Sequence, residues 1–163
     1  MKLIRISVDD AERLWKMQVE AFQDLYEKYQ DTETSPATEK MDRIVMRLEQ
    51  PFTYYYFIEV DDIIVGAVRV VDHQEAGTAK RISPIFIRKE HRNKGHAQKA
   101  IQLVEEMHGG SSWELETILQ EKGNCYLYEK MGYHQTGKTE KINDKMTLVF
   151  YRKKERDLSF MEE

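Results

Sequence analysis

Leu3, Ile4 and Ile6 open the chain as a short apolar run. Ser7 with Asp10, or Asp9 with Glu12, follows as a helix-start pair whose side chains cover free backbone N–H groups. From there Leu14, Met17, Ala21, Leu25 and Lys28 recur at spacings of three and four, widened by Trp15, Val19, Phe22, Tyr26 and Tyr29. That period predicts a helix ending near Gln30. Asp31 to Thr38, with Thr34, Ser35 and Pro36, reads as a loop, and Met41, Ile44, Val45 and Leu48 mark a second helix that stops before Pro51. Thr53 to Val60 and Ile63 to Val71 are rich in aromatic and β-branched residues and are parted by Asp61 and Asp62, which predicts a hairpin.

Arg81 to Arg88 is a further strand, and its Pro84 has no N–H to give to a ladder, so a bulge is expected there. Ala97, Ala100, Ile101, Val104 and Met107 share one helical face opposite Gln98, Lys99, Gln102, Glu105 and Glu106, and Gly109 and Gly110 end that helix. Trp113 to Leu119 reads as a strand, residues 121 to 131 as a short helix stopped by Gly132, and Tyr133 to Glu140 pairs with Lys145 to Arg152 across Asn143 and Asp144. The tail from Lys153 is expected to fray. The order strand, two helices, three strands, helix, strand, helix, two strands predicts an α/β fold with a mixed sheet.

Composition narrows the class. The 163 residues are 33% charged and 40% hydrophobic with 8 Gly and 3 Pro, and they hold no repeat or low-complexity linker, so one globular domain over 1–163 is expected. A chain of this length buries enough surface to need no metal or disulfide staple. The lone Cys125 cannot form an intrachain disulfide and fits a reducing compartment, so a cytoplasmic location is expected. The apolar stretch Met1 to Ser7 meets Asp9, Asp10 and Glu12 at once, which leaves no room for an export signal. The longest apolar run, Ile63 to Val68, is cut by Arg69, far short of the roughly 20 residues that span a bilayer. A net charge of −4 opposes binding to nucleic acid or anionic lipid. His73, His91, His96, His108 and His134 show no metal-ligand spacing, so no metal is expected.

One segment departs from the acidic average. Between 88 and 99, five cations (Arg88, Lys89, Arg92, Lys94 and Lys99) face Glu90 alone, a local charge of +4 where a strand gives way to a helix. Free N–H groups point outward at a helix start, the dipole adds positive potential, and Gly95 and Ala97 leave the backbone approachable. Arg92, Asn93, Lys94, Gly95, His96 and Ala97 can therefore wrap a pyrophosphate, the alternative being a solvated basic loop. No Gly-x-x-x-x-Gly-Lys-Ser/Thr occurs, and no Gly-x-Gly-x-x-Gly follows a strand, which leaves nucleotide hydrolysis and dinucleotide binding without a motif.

The run Arg92 to Ala97 resembles the Arg/Gln-x-x-Gly-x-Gly/Ala signature of the GNAT superfamily of N-acetyltransferases. The segment Leu127-Tyr128-Glu129-Lys130-Met131-Gly132-Tyr133 is similar to the family's Leu-Tyr-Glu-Lys-x-Gly-Phe/Tyr run, and the element order agrees along nearly the whole chain. The resemblance implies a GNAT-like acyltransferase fold, a mixed and mostly antiparallel sheet flanked by helices. It further implies acetyl-CoA as cosubstrate, a small-molecule amine as acceptor, and direct transfer within a ternary complex. It places the pantetheine arm beside Ile82 to Ile87, where the Pro84 irregularity would expose backbone groups of Ile85, Phe86 and Ile87 to the thioester carbonyl. Many members carry an Asn seven residues before the Tyr; here that place holds Glu121, and Asn124, four before it, is the asparagine left for the cofactor. The family also often dimerises, and the final hairpin offers an edge for a homodimer.

Acetyl transfer needs a neutral amine, a site for the oxyanion and a proton for the departing thiolate. Tyr128 is the candidate acid, against the alternative of a core tyrosine. Glu59, Glu116 or water remain open as base. Tyr26, Tyr29, Glu33 and Tyr54 to Tyr56 are candidate acceptor lining or core. Cys125 raises a covalent route, which the absence of a neighbouring histidine disfavours. A non-catalytic sensor or partner-binding module on the same CoA site is the second reading.

Overall fold

The computed structural model describes residues 1–110 and 112–154. Seven strands, β1 (Lys2–Arg5), β2 (Thr53–Val60), β3 (Ile63–Val71), β4 (Lys80–Ile87), β5 (Ser112–Ile118), β6 (His134–Asn143) and β7 (Met146–Lys154), form one sheet in the order β1-β2-β3-β4-β5-β7-β6. Helices α1 (Ala11–Tyr29), α2 (Met41–Glu49), α3 (His96–His108) and α4 (Lys122–Lys130) complete the α/β fold. Every neighbouring pair of strands runs antiparallel except β4 and β5.

Side chains alternate along a strand, and β2 shows what that does here. Tyr55 and Phe57 enter the layer under α1 and α2 with Leu14, Ala21, Ile44 and Phe86. Tyr56 and Ile58 enter the opposite layer with Ala100, Ile101 and Val104 of α3 and Tyr128 of α4. The sheet is thus covered on both faces, which is why β2 and β3 read as nearly continuous apolar runs.

Two helix faces differ from the expected stripes. In α1 the buried positions are Ala11, Leu14, Gln18, Ala21 and Tyr29, whereas Lys28 is exposed. Gln18 is buried because its amide bridges Pro36 O (3.1 Å) and Glu39 Oε1 (2.8 Å) while its carbonyl accepts from the Tyr55 hydroxyl (3.2 Å). In α3 Met107 points to solvent and His108 turns inward. The expected fraying at Lys153 is also corrected: Lys153 pairs with Trp113 in the sheet and its ammonium lies 3.0 Å from Glu105, because β7 is the partner that β5 needs on its outer edge. Residues 155–163 of the expected tail lie outside the described residues.

The bulge at Pro84 is present. Val68 pairs with Ile85 and Val70 with Ile82, so Ser83 and Pro84 together oppose Arg69. Arg69 holds the irregularity: Nη1 donates to Ser83 O (3.0 Å), Nη2 to Gln50 Oε1 (3.1 Å) and Nε to Thr53 Oγ1 (3.3 Å). Burial lowers its pKa to about 10, which still leaves it charged at neutral pH. The β4–β5 pairing then runs out after two residues, Lys80 with Trp113 and Arg81 with Glu114. Beyond that point the two strands part, and the Arg81–Glu116 ion pair crosses the mouth of the split.

The closed end of the split is tied by Asp72. Its Oδ1 accepts from Lys80 Nζ at 2.8 Å, and its Oδ2 lies 2.8 Å from His108 Nδ1, while His108 Nε2 is 2.9 Å from the Tyr56 hydroxyl. Burial alone would raise the Asp72 pKa, but the hydrogen bonds from Lys80 and His108 outweigh it and hold the carboxyl below its ordinary value. A depressed carboxylate stabilises the fold at neutral pH, and that contribution disappears as pH falls below about 4. Asp72→Asn should therefore cost about 3–5 kcal/mol at pH 7, because it strands the Lys80 charge in a buried site. Urea unfolding checks this, and the gap between variant and parent should narrow at pH 3.

Candidate active site

Where β4 and β5 separate, one edge of β4 has no strand beside it. Arg88 N donates to Val65 O at 2.7 Å, so strand alternation turns Phe86 toward β3 and turns the amides of Ile85 and Ile87 into the split. The Ile87 carbonyl on that side accepts from Arg92 Nε at 3.0 Å. Of the three backbone positions expected to meet a thioester, Ile85 and Ile87 thus face the opening, and Phe86 belongs to the β3–β4 ladder.

The β4 edge runs toward the start of α3. Asn93 (φ 63°) and Gly95 (φ 79°) both take the left-handed conformation, and Gly95 caps α3 without a side chain. The amides of His96, Ala97 and Gln98 in the first turn of α3 have no intrahelical acceptor, and no side chain caps them. A Cβ built on Gly95 would meet nothing within 4 Å, so the turn is open rather than plugged. It forms one end of a groove of about 670 Å3, walled by α1, the β4 edge, the turn itself and α4. Arg92, Asn93, Gly95, His96 and Ala97 all line this groove. Lys94 is exposed and stands outside its wall.

The basic cluster proves less free than its composition suggests. Arg88 pairs with Glu90 (3.3 Å), and Lys89 and Arg92 both reach Asp24 on α1 (3.8 and 3.2 Å). Arg92 Nη2 also donates to Ala21 O at 2.5 Å. Its guanidinium therefore fastens α1 and the end of β4 to the turn, and close contact with an anion falls to backbone amides and the helix dipole, with Lys94 and Lys99, in no ion pair among the described residues, adding positive potential nearby. A sequence count of cations could not reveal this, because Asp24 lies 68 residues from Arg92 and meets it only through folding.

Across the groove, Glu121 accepts from Lys28 Nζ (2.7 Å) and from the Tyr29 hydroxyl. Burial acts to raise its pKa, but those two donors prevail and lower it. Asn124 lines the groove and also a second, smaller cavity of about 230 Å3 that has β5 and β7 on its wall. Tyr128 is shared in the same way, as are Phe22, Leu25 and Ile85. The two cavities therefore meet at Tyr128 and Ile85. The Tyr128 hydroxyl has no hydrogen-bond partner among the described residues, and desolvation followed by the nearby Cys125 pushes its pKa up to about 12.

The sequence pattern of the Acetyltransferase (GNAT) family matches residues 15–133. This chain belongs to the GNAT family of acetyltransferases. Solved structures carry the same fold along nearly the whole chain. The microcin C7 self-immunity acetyltransferase MccE, solved with acetyl-CoA and AMP, is 17% identical with a TM-score of 0.70 over 94% of this chain and 91% of its own. Spermidine N-acetyltransferase from Vibrio cholerae, solved with CoA and spermine, is 15% identical with a TM-score of 0.72 over 93% of both chains. Aminoglycoside 6'-acetyltransferase type Ii is 16% identical with a TM-score of 0.68 over 96% of this chain and all of its own. Among curated proteins none is a significant sequence match.

Within this GNAT chain the second motif divides its labour. Leu127 and Tyr128 face the groove, Glu129 accepts from the Tyr151 hydroxyl (2.9 Å), Gly132 supplies the positive φ (97°) of the turn, and Tyr133 is buried with its hydroxyl on Glu105 (2.7 Å). The residues considered for the acceptor do not line the smaller cavity. Tyr55 and Tyr56 are buried in opposite core layers, and Tyr54 lies under Arg5 at 4.4 Å. Tyr29 is core beside Ile118 and Met146, and neither Tyr26 nor Glu33 reaches a cavity wall. Of the two carboxylates considered as base, Glu116 is on the smaller cavity and Glu59 is on neither. Arg69 and Gln18 were missed as supports of the site, since a buried cation or amide carries no periodic signal.

Gly95→Ala separates cofactor binding from folding. The left-handed backbone costs an alanine about 1–2 kcal/mol, while its methyl group stands where an anion would touch the amides. The variant should remain folded by circular dichroism and bind acetyl-CoA at least about tenfold more weakly by calorimetry.

Proposed function

We propose that this protein moves an acetyl group from acetyl-CoA to a primary amine by direct transfer in a ternary complex. The observation that supports this reading is the junction of two cavities at Tyr128 and Ile85. The groove has an open helix start at one end, suited to a pyrophosphate, and runs along the β4 edge, suited to a pantetheine arm. The smaller cavity reaches the same two residues from the β5 and β7 side, where an acceptor amine would meet the thioester.

The steps follow from that placement. The neutral amine nitrogen attacks the thioester carbon, and the N–H of Ile85 or Ile87 holds the oxyanion. The C–S bond breaks, and Tyr128 gives its proton to the leaving thiolate. A pKa of about 12 keeps the phenol protonated over the whole working range. The same dry surroundings raise the thiol pKa, which brings donor and acceptor closer. The amine's surplus proton leaves through Glu116 or water. We place the protein in the cytoplasm, where its one cysteine, buried and unpaired, needs no oxidising environment.

Tyr128→Phe should lower kcat by about 10²–10³-fold with acetyl-CoA affinity changed less than threefold, read from thiol release and calorimetry. Thiol release unchanged in Tyr128→Phe would remove Tyr128 as the acid, and no release by the parent protein across a broad amine panel would favour a CoA sensor instead. The pH profile supplies a second check. An acid acts only while protonated, so loss of Tyr128 function begins as pH approaches about 12. The kcat of the parent protein should therefore show no decline from this group up to pH 10.

A further inference from the structure

We infer that the acceptor is a monoamine on a compact, uncharged apolar body, an aliphatic or aryl-alkyl amine, and not a polyamine, an aminoglycoside or a free amino acid. This rests on the N-acetyltransferase reading above, and it comes from the chemistry of the smaller cavity.

Ten of the eighteen residues around that cavity are apolar, and they come from every element that walls it except α4, which contributes Asn124 and Tyr128. Leu25 stands on α1, Pro36 on the loop after it, Ile82 on β4, Leu115 and Ile118 on β5, and Met146 on β7. Among the described residues no lysine, arginine or histidine lines it. Its two carboxylates, Asp31 and Glu116, are both engaged. Asp31 is 3% exposed; its Oδ1 accepts from the amides of Glu33 (3.1 Å) and Thr34 (2.9 Å), and its Oδ2 accepts from the Thr34 hydroxyl. That is a closed turn, with the carboxylate spent on its own loop. Glu116 is held by Arg81 across the split.

The reacting amine is neutral when it attacks, so it asks for no counter-ion. Any second ammonium on the acceptor would be desolvated against leucine, isoleucine and methionine, and the two carboxylates on the wall already have partners, Glu116 in Arg81 and Asp31 in the neutral donors of its own turn. A carboxylate on the acceptor would fare no better, since among the described residues no cation lines the wall. Size argues the same way. An apolar cavity of about 150 Å3 accommodates a benzene ring, and the cavity here is about 230 Å3. A ring, or a branched chain of similar bulk, fits with a short arm carrying the amine to Tyr128. An aminoglycoside is too large for the enclosed part and presents several cations to it.

The test is thiol release by the full chain with acetyl-CoA and each of 2-phenylethylamine, isoamylamine, spermidine, kanamycin and phenylalanine. The two monoamines should exceed the other three in kcat/KM by about 100-fold or more. As a second reading, 2-phenylethanol should inhibit competitively against the monoamine and not against acetyl-CoA. Spermidine, kanamycin or phenylalanine as an equal or better acceptor overturns the inference and leaves N-acetyl transfer standing. No thiol release from any amine, with acetyl-CoA binding intact, removes the enzymatic reading and this inference with it.

Discussion

The structure depends on a sheet that stops pairing in its middle. β4 and β5 run parallel and pair over Lys80–Arg81 and Trp113–Glu114, then diverge, so most of β4 keeps backbone donors and acceptors on that side without a strand to satisfy them. Inside a protein that is a costly arrangement unless water or a ligand completes it. Both cavities open from this split, and the elements around it serve to hold it apart. The bulge at Ser83 and Pro84 bends β4, and Arg69 holds it with one donor to Ser83 O while two others brace the guanidinium on Gln50 and Thr53.

The two ends of the split are built from opposite chemistry. At the closed end, buried charges are paired with one another: Asp72 joins Lys80 to His108 and so ties β3, β4 and the end of α3. At the open end, the positive turn of α3 carries no cap, and Arg92, the residue most readily read as an anion ligand, is anchored to Asp24, Ala21 and Ile87. The anion site is left as amides held rigid by a cation behind them. Backbone amides fixed in this way cost little reorganisation when a ligand arrives.

Much of the fold was legible from one-dimensional patterns because those patterns report local constraints. The periods of α1, α3 and the β2–β3 hairpin locate the elements, Pro84 locates the bulge, and the Gly95 turn locates the open helix start. What was misread involves partners far away in the chain. Met107 was assigned to the core by its spacing, but Asp72 and Tyr56 draw His108 inward instead. Gln18 lies outside the apolar stripe, and Pro36, Glu39 and Tyr55 make it a buried residue. Lys153 looked like a loose tail until β7 took its place beside β5.

The candidate site shows the same division. Composition, spacing and two short motifs pointed to Arg92 to Ala97 and Tyr128 as candidates, and folding sorts them: Asn93, Gly95, His96, Ala97 and Tyr128 line the groove, Arg92 anchors its wall and Lys94 stands outside it. Which of Ile85, Phe86 and Ile87 turns toward the opening depends on register with β3. Which aromatic residues line the acceptor wall depends on the face each strand presents. Whether a carboxylate is free depends on Thr34 and Arg81 finding it. The chain alone determines which groups are present and in what order, whereas the pairing of each charge and the direction of each amide are settled only when distant segments close on one another.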